Sequence, residues 1–262
     1  MNVVSRAFLA LIIAASGVTA FAQAHRIQTA PTYEPQSGQE GKDVVWVPTP
    51  QILVDKMLDM AKVKPGEIVM DLGSGDGRTV ITAAKRGARA YGIEYNPDMV
   101  ELSKRNAVKE GVSANATFVK ADLFETDFSK ADVITMFLLP DINIKLRPKI
   151  LDLKPGTRIV SNSFTMEDWM PDQTETISGD CVSWCTALLW IVPAQVAGNW
   201  QLGSNTLTLQ QNFQMLTGTL GSSKLTGRLR GDEITLTSDA MKYTGKVEGN
   251  TMKGANWSAT RK

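Results

Sequence analysis

With 262 residues, 43% of them apolar, the chain is long enough to bury a full α/β core and still build a smaller second unit. Its formal net charge of +1 gives no electrostatic case for a nucleic-acid partner. The single histidine, His25, lies in the leader region, so histidine-based hydrolase triads and His-rich metal sites are excluded from the folded part.

Arg6 is followed by eighteen uncharged residues, Ala7 to Ala24, and both Ala20-Phe21-Ala22 and Ala22-Gln23-Ala24 fit a small-x-small cleavage site. Residues 1–24 are therefore expected to be a signal peptide that directs export to the periplasm. The alternative is an uncleaved membrane anchor with the rest of the chain on the cytosolic side, since the run is just long enough to span a bilayer. Residues 25–43 are polar, carry Pro31, Pro35, Gly38 and Gly41, and read as a linker. Val47-Pro48-Thr49-Pro50 then opens a helix, with Thr49 as N-cap, Pro50 at the first helical position, and Ile52, Leu53, Met57, Leu58 and Ala61 as the apolar face.

The most informative segment follows. Ile68-Val69-Met70 suits a buried parallel strand. It ends in Asp71 and the turn Gly73-Ser74-Gly75-Asp76-Gly77, where glycines let the backbone approach a ligand closely. Arg78 to Lys85 has helical spacing and Gly87 is a natural stop. A second strand ends in Glu94, 23 residues after Asp71, where a carboxylate can accept both hydroxyls of a ribose. Asp71 and Asp76 would repel a pyrophosphate but suit a phosphate-free nucleoside carrying a sulfonium and an ammonium. The charge pattern therefore favours S-adenosylmethionine over NAD.

Further along, Asn96-Pro97-Asp98 caps a helix that runs to Gly111. Thr117 to Asp122 is a third strand; Asp122 is placed to bond an adenine amino group, with Leu123 beside the ring. Ala131 to Leu139 is a fourth strand, and Leu138 to Asn143 should face the ligand crevice. A helix covers 144–153, and Thr157 to Phe164 is a fifth strand. Cys181 to Val192 reads as the closing strand, whose extended geometry would hold Cys181 and Cys185 beyond disulfide reach. Trp169 and Trp184 are expected to be packing residues. From Ala194 the helical periodicity is lost and short alternating runs appear, such as Thr206-Leu207-Thr208-Leu209. Gly-x-(Leu/Val)-x-Gly recurs at Gly227 to Gly231 and Gly245 to Gly249. These features predict a small antiparallel meander, a barrel or a sandwich, with Trp200, Phe213, Tyr243 and Trp257 in its core.

Asp71-Leu72-Gly73-Ser74-Gly75-Asp76-Gly77, Glu94 and Asp122 resemble motif I and the acidic positions of class I S-adenosylmethionine-dependent methyltransferases. Taken with Val47-Pro48-Thr49-Pro50 and Phe137-Leu138-Leu139-Pro140, they are similar to the protein-lysine methyltransferases of the mitochondrial ATP synthase c-subunit and adenine nucleotide translocator type. The resemblance implies a Rossmann-like, seven-stranded, mostly parallel sheet over 44–193; the leader and the all-β unit read at 194–262 are departures from the family pattern. It implies S-adenosyl-L-methionine as cofactor, no metal, and a protein-lysine acceptor, membrane proteins included. The expected cofactor residues are Thr49, Asp71, Gly73, Ser74, Gly75, Glu94, Tyr95, Asn96, Asp122, Leu123 and Leu138; Asp141 is the candidate for orienting the acceptor amine. Two alternatives stand beside this expectation: a small-molecule methyltransferase, and a non-catalytic exported scaffold that works through its β-rich unit.

Overall fold

In a computed structural model of the chain, the structure describes residues 33–239 and 241–262. The predicted leader, residues 1–24, lies outside the described residues, as does the start of the linker. Among the described residues no helix is long and apolar enough to cross a membrane.

The first layer is a seven-stranded sheet. Its strands are β1 (Ile68–Leu72), β2 (Arg89–Glu94), β3 (Ala116–Lys120), β4 (Val133–Met136), β5 (Arg158–Asn162), β6 (Gln173–Thr176) and β7 (Thr186–Ile191). They lie in the order β3-β2-β1-β4-β5-β7-β6, and β7 alone is antiparallel to its neighbours. The chain moves outward one way from β1 and then returns to start the other way at β4. This reversal opens a crevice at the carboxyl ends of those strands. Helices α1 (Gln51–Met60), α2 (Arg78–Lys85) and α3 (Pro97–Lys109) cover one face through Leu53, Leu58, Val80 and Val100. Helix α4 (Pro140–Leu151) covers the other face through Ile142, Leu146 and Ile150, beside Phe128, Trp169 and Trp190.

Several local expectations are corrected here. Pro50 is the N-cap of α1, which it serves without a side-chain hydrogen bond, and Thr49 faces the crevice instead of capping. Asn96 does cap α3, its side chain accepting from the Asp98 and Met99 backbone N–H groups. Helix α4 begins at Pro140, whose fixed φ suits the first turn, so it starts four residues before the expected 144. Strand β6 has no counterpart among the expected strands, because Gln173-Thr174-Glu175-Thr176 has no apolar face to mark it. The closing strand spans only Thr186–Ile191, since a bend at Ser183 and Trp184 precedes it. That bend brings the Cα atoms of Cys181 and Cys185 to 5.8 Å, and the two cysteines form a disulfide, contrary to the expectation from an extended strand.

The second layer is a closed, eight-stranded, antiparallel up-and-down barrel. Its strands are β8 (Gly198–Leu202), β9 (Asn205–Asn212), β10 (Met215–Leu220), β11 (Ser223–Arg230), β12 (Glu233–Thr237), β13 (Lys242–Glu248), β14 (Thr251–Gly254) and β15 (Ser258–Arg261), with β15 paired back to β8. Closure leaves no free strand edge. The core is apolar, with Trp200, Leu207, Leu216, Leu229 and Leu236 fully or almost fully buried. Gly218 stands where a Cβ would collide with the Thr208 carbonyl of the neighbouring strand, which accounts for a glycine inside a strand. Tyr243 and Trp257 are partly buried against this core, whereas Phe213 packs on the other layer, its ring stacked 5.7 Å from that of Trp169.

Candidate functional site

The crevice above β1, β2 and β4 is a cavity of about 450 Å³. Three turns build it. The loop after β1 holds Gly73, Gly75 and Gly77 at φ of 78°, 52° and 82°, a region that side chains avoid. A Cβ on Gly75 would lie 2.6 Å from the Trp46 indole nitrogen, so only glycine lets the segment before α1 close over the loop. Ser103, buried on α3, donates its hydroxyl hydrogen to the Gly75 carbonyl at 2.8 Å, and Asn106 donates to the Asp76 carbonyl at 3.0 Å. Arg78 bridges the Asp76 carboxylate at 2.6 Å and the Thr49 carbonyl at 2.9 Å.

The charged groups stand at the strand ends. Asp71, near the end of β1, lies opposite Thr135 of β4, whose hydroxyl donates to it at 2.7 Å. Burial, reinforced by the charges of Glu94 and Asp76, pushes the Asp71 carboxyl up from 3.8 to about 7. Glu94 accepts from the Gly75 and Asn96 backbone N–H groups, both at 2.9 Å, which fixes its carboxylate at the end of β2. Asp122 accepts from Lys42 at 2.5 Å and from the Phe124 N–H at 2.9 Å, and these bonds hold it below the usual carboxylate range.

All eleven residues expected to touch a cofactor line this one cavity: Thr49, Asp71, Gly73, Ser74, Gly75, Glu94, Tyr95, Asn96, Asp122, Leu123 and Leu138. Asp141 does not. It lies exposed in the first turn of α4, outside the cavity wall, because the early start of that helix turns it outward. Sequence reasoning missed two sets of lining residues. Gln39 to Pro48 form a strap over the site, tied by Gly38 N–H to the Trp46 carbonyl and Trp46 N–H to the Gln39 carbonyl, although composition predicts linker over 39–43. The apolar run Val44-Val45-Trp46-Val47 is the signal for it. Phe137, Phe164 and Trp184 make up the second set; Trp184 does pack, against both phenylalanine rings, but it is also 44% exposed and lines the cavity wall.

The lining tests what ligand fits. Six acids (Glu40, Asp43, Asp71, Asp76, Glu94, Asp122) face two bases, Lys42 and Arg78, each of which is already paired with one of the acids. The Ser74 hydroxyl is buried without a hydrogen-bond partner. A raised buried carboxyl, surplus negative charge and an unused hydroxyl together suit a cationic, phosphate-free nucleoside. Among the described residues no cluster of His, Cys, Asp and Glu could hold a metal ion.

Known proteins point the same way. The family profile of the ANTKMT methyltransferase domain matches residues 71–173. A protein-lysine N-methyltransferase of Saccharolobus islandicus is 47% identical over 133 residues, which is 50% of this chain and 83% of that protein. The ATP synthase c-subunit lysine N-methyltransferase of Xenopus laevis is 37% identical over 48% of this chain; the chain spans 56% of that protein's length. A solved RNA methyltransferase from Salinibacter ruber, in complex with S-adenosyl-L-homocysteine, superposes with a TM-score of 0.54 and 45% identity, covering 57% of this chain and 96% of the other.

Proposed function

The chain belongs to the protein-lysine N-methyltransferase family, and from that premise we propose that it uses S-adenosyl-L-methionine to methylate the side-chain amine of a lysine in a protein substrate. The observation that carries this reading is the acid-rich cavity wall with buried Asp71 at its floor. When bound, the cofactor supplies an electrophilic methyl group on a sulfonium. Asp71, Ser74 and the Gly73–Gly75 backbone would hold its charged end, Glu94 and Asn96 its ribose, and Asp122 and Leu123 its base, with Thr49, Tyr95 and Leu138 closing the sides. The protein's contribution is positioning and exclusion of water. Leu138, Ile142 and Phe164 present apolar surface on the side toward β4 and β5, where an acceptor amine loses hydration and reaches its neutral, nucleophilic form more readily. Asp141 in its exposed place does not favour a contact with that amine.

The similarity to an RNA methyltransferase raises a second acceptor class. The lining argues against it: with both basic groups already paired, nothing in the wall is left to neutralise phosphates. The leader carries its own proposal, export or anchoring, which protease accessibility of the barrel in intact cells and spheroplasts would separate.

The test is calorimetry of S-adenosylmethionine binding to residues 26–262, with Asp71→Ala and Glu94→Ala as controls, followed by transfer of a labelled methyl group to a cell extract. Binding lost by about a hundredfold in each variant, and label that protease releases but ribonuclease does not, are expected. No heat of binding in the parent protein ends the reading. Label that ribonuclease releases replaces lysine by RNA.

A further inference from the structure

Three aromatic side chains converge on the cavity wall from different elements. Phe137 follows β4, Phe164 follows β5, and Trp184 sits in the loop between β6 and β7. Their ring centroids lie 5.8 Å (Phe137–Phe164), 5.8 Å (Phe137–Trp184) and 5.1 Å (Phe164–Trp184) apart. None belongs to the residues that would hold the nucleoside.

The backbone spends conformational energy to put them there. Ser163 and Trp184 adopt φ of 58° and 57°, left-handed values that cost a non-glycine residue about 1–3 kcal/mol each. At Ser163 the turn is secured locally: the Ser161 hydroxyl donates to the Phe164 carbonyl at 2.8 Å, and the Asn143 amide donates to the Phe164 and Thr165 carbonyls. At Trp184 the constraint is covalent, because Cys181 and Cys185 close a short ring around it. Packing alone does not account for this outlay, since Trp184 remains 44% exposed.

Aromatic faces in a wall with surplus carboxylates attract an organic cation. A nucleobase would need a slot between rings, and these rings are already in contact with one another. We propose that Phe137, Phe164 and Trp184 form the acceptor subsite, in which the rings hold the side-chain end of the substrate lysine and their faces take the quaternary ammonium of its trimethylated product, and that the Cys181–Cys185 disulfide holds Trp184 in place. The proposal rests on the lysine reading above. Trp184 and Phe164 act as acceptor-binding residues, and the two cysteines as positioning residues.

The experiment titrates the peptide Gly-Gly-Lys-Gly-Gly, and the same peptide with trimethyl-lysine, into the full chain saturated with S-adenosyl-L-homocysteine, and reads binding by calorimetry. The trimethyl form should bind tighter than the unmodified form. Trp184→Ala should weaken it by about tenfold, Trp184→Phe by only about twofold, and Cys181→Ser/Cys185→Ser by an intermediate factor, while affinity for S-adenosyl-L-homocysteine stays within about twofold of the parent. Phe164→Ala gives an independent check on the other side of the trio. Peptide affinity unchanged in Trp184→Ala and Phe164→Ala, or no peptide binding by the parent, overturns the subsite and leaves the cofactor reading standing. Single-stranded RNA that binds the parent and is lost in Trp184→Ala also overturns it, in favour of a base-stacking role. Failure of the parent to bind S-adenosyl-L-homocysteine at all is a different result, and it removes the proposed function itself.

Discussion

Of the eleven polar residues that are buried as a whole among the described residues, ten lie in the parallel-sheet layer between Thr49 and Asn162, and the eleventh, Gln214, sits where the barrel meets that layer. The barrel interior is filled by Trp200, Val247, Met252 and a set of leucines, and its strands pair all the way round. The sheet, by contrast, keeps an open crevice, an orphaned Ser74 hydroxyl and a carboxyl that burial has displaced from its ordinary range. Buried polar groups cost stability unless they are paired. A chain that concentrates them at the carboxyl edge of one sheet and keeps them out of the other has separated chemistry from scaffolding. Gln214 marks the seam: its side-chain amide donates to the Met170 carbonyl at 2.8 Å.

The sharpest way to break this contrast is to injure the barrel alone. Trp200 is fully buried, and its indole N–H donates to the Val196 carbonyl at 2.8 Å. Trp200→Ala should lower unfolding stability by about 3–5 kcal/mol, read from urea titration, because it opens a large cavity. At temperatures where the variant stays folded, cofactor affinity should be unchanged. A matching loss of affinity would mean that the barrel shapes the crevice.

The complementary injury is to the charge in the crevice. Asp71 titrates near 7 in the folded protein against 3.8 for an ordinary aspartate, so between those values the native state holds a proton that the unfolded state has lost. The stability this provides is fully present below pH 3.8 and is lost as pH rises toward 7, by up to about 4 kcal/mol. Asp71→Asn should therefore be more stable than the parent at pH 8 in the absence of cofactor, and the gap should close by pH 4. In the parent, a cationic ligand selects the ionised carboxylate, so cofactor affinity should rise between pH 6 and pH 8, by about tenfold at most per pH unit. Titration in buffers of differing ionisation heat checks the accompanying proton release. The sheet layer should show this exchange of stability for binding, and the barrel, with no charged side chain in its buried core, should not.

The chemistry of the crevice was legible because it is local in sequence. Asp71, Gly73 to Gly77 and Glu94 each stand at the end of a short apolar run, and parallel strands bring such ends together whatever the details of packing. What was not legible depends on partners far along the chain. Trp184 faces the cavity because a disulfide closes its loop, and the disulfide forms because the chain bends just before β7, which no periodicity announces. Asp141 has the sequence position of a group facing the acceptor, but Pro140 is the first residue of α4, and the extra helical residues carry Asp141 to the outer surface. Strand β6 is polar throughout and is recruited by pairing with β7. In the barrel, alternation marks the strands, but only the pairing of β15 with β8 decides between an open meander and a closed barrel.

A smaller effect is expected at the junction of the two layers. The Asp172 carboxylate is 1% exposed, and it accepts from Arg228 of β11 at 2.7 Å and from the Ile191 N–H of β7 at 2.9 Å. Arg228→Ala leaves that carboxylate buried with one partner, which should cost about 1–3 kcal/mol. Asp172→Asn/Arg228→Ala should recover part of the loss, because the remaining group is then neutral. Thermal unfolding read separately by Trp200 and Trp190 fluorescence would show whether the layers still unfold together. Two transitions in place of one would mean that this ion pair, and not the Phe213–Trp169 stack, couples them.

The smallest effect belongs to the strap. Lys42 reaches Asp122 at 2.5 Å and lies 4.7 Å over the Tyr95 ring, so one ammonium joins the strap to the ends of β2 and β3. The pair is open to solvent and therefore weak on its own. Its position matters more than its strength, since it helps pin a segment that lines the site from Gln39 to Pro48. Lys42→Ala should weaken cofactor binding by about two- to fivefold, mainly through faster dissociation, and the difference should shrink as added salt shortens the screening length. Stopped-flow dissociation at low and high ionic strength measures this directly. A dissociation rate identical to the parent's at low salt would make the strap a bystander and restrict the functional half of the molecule to the sheet edge alone.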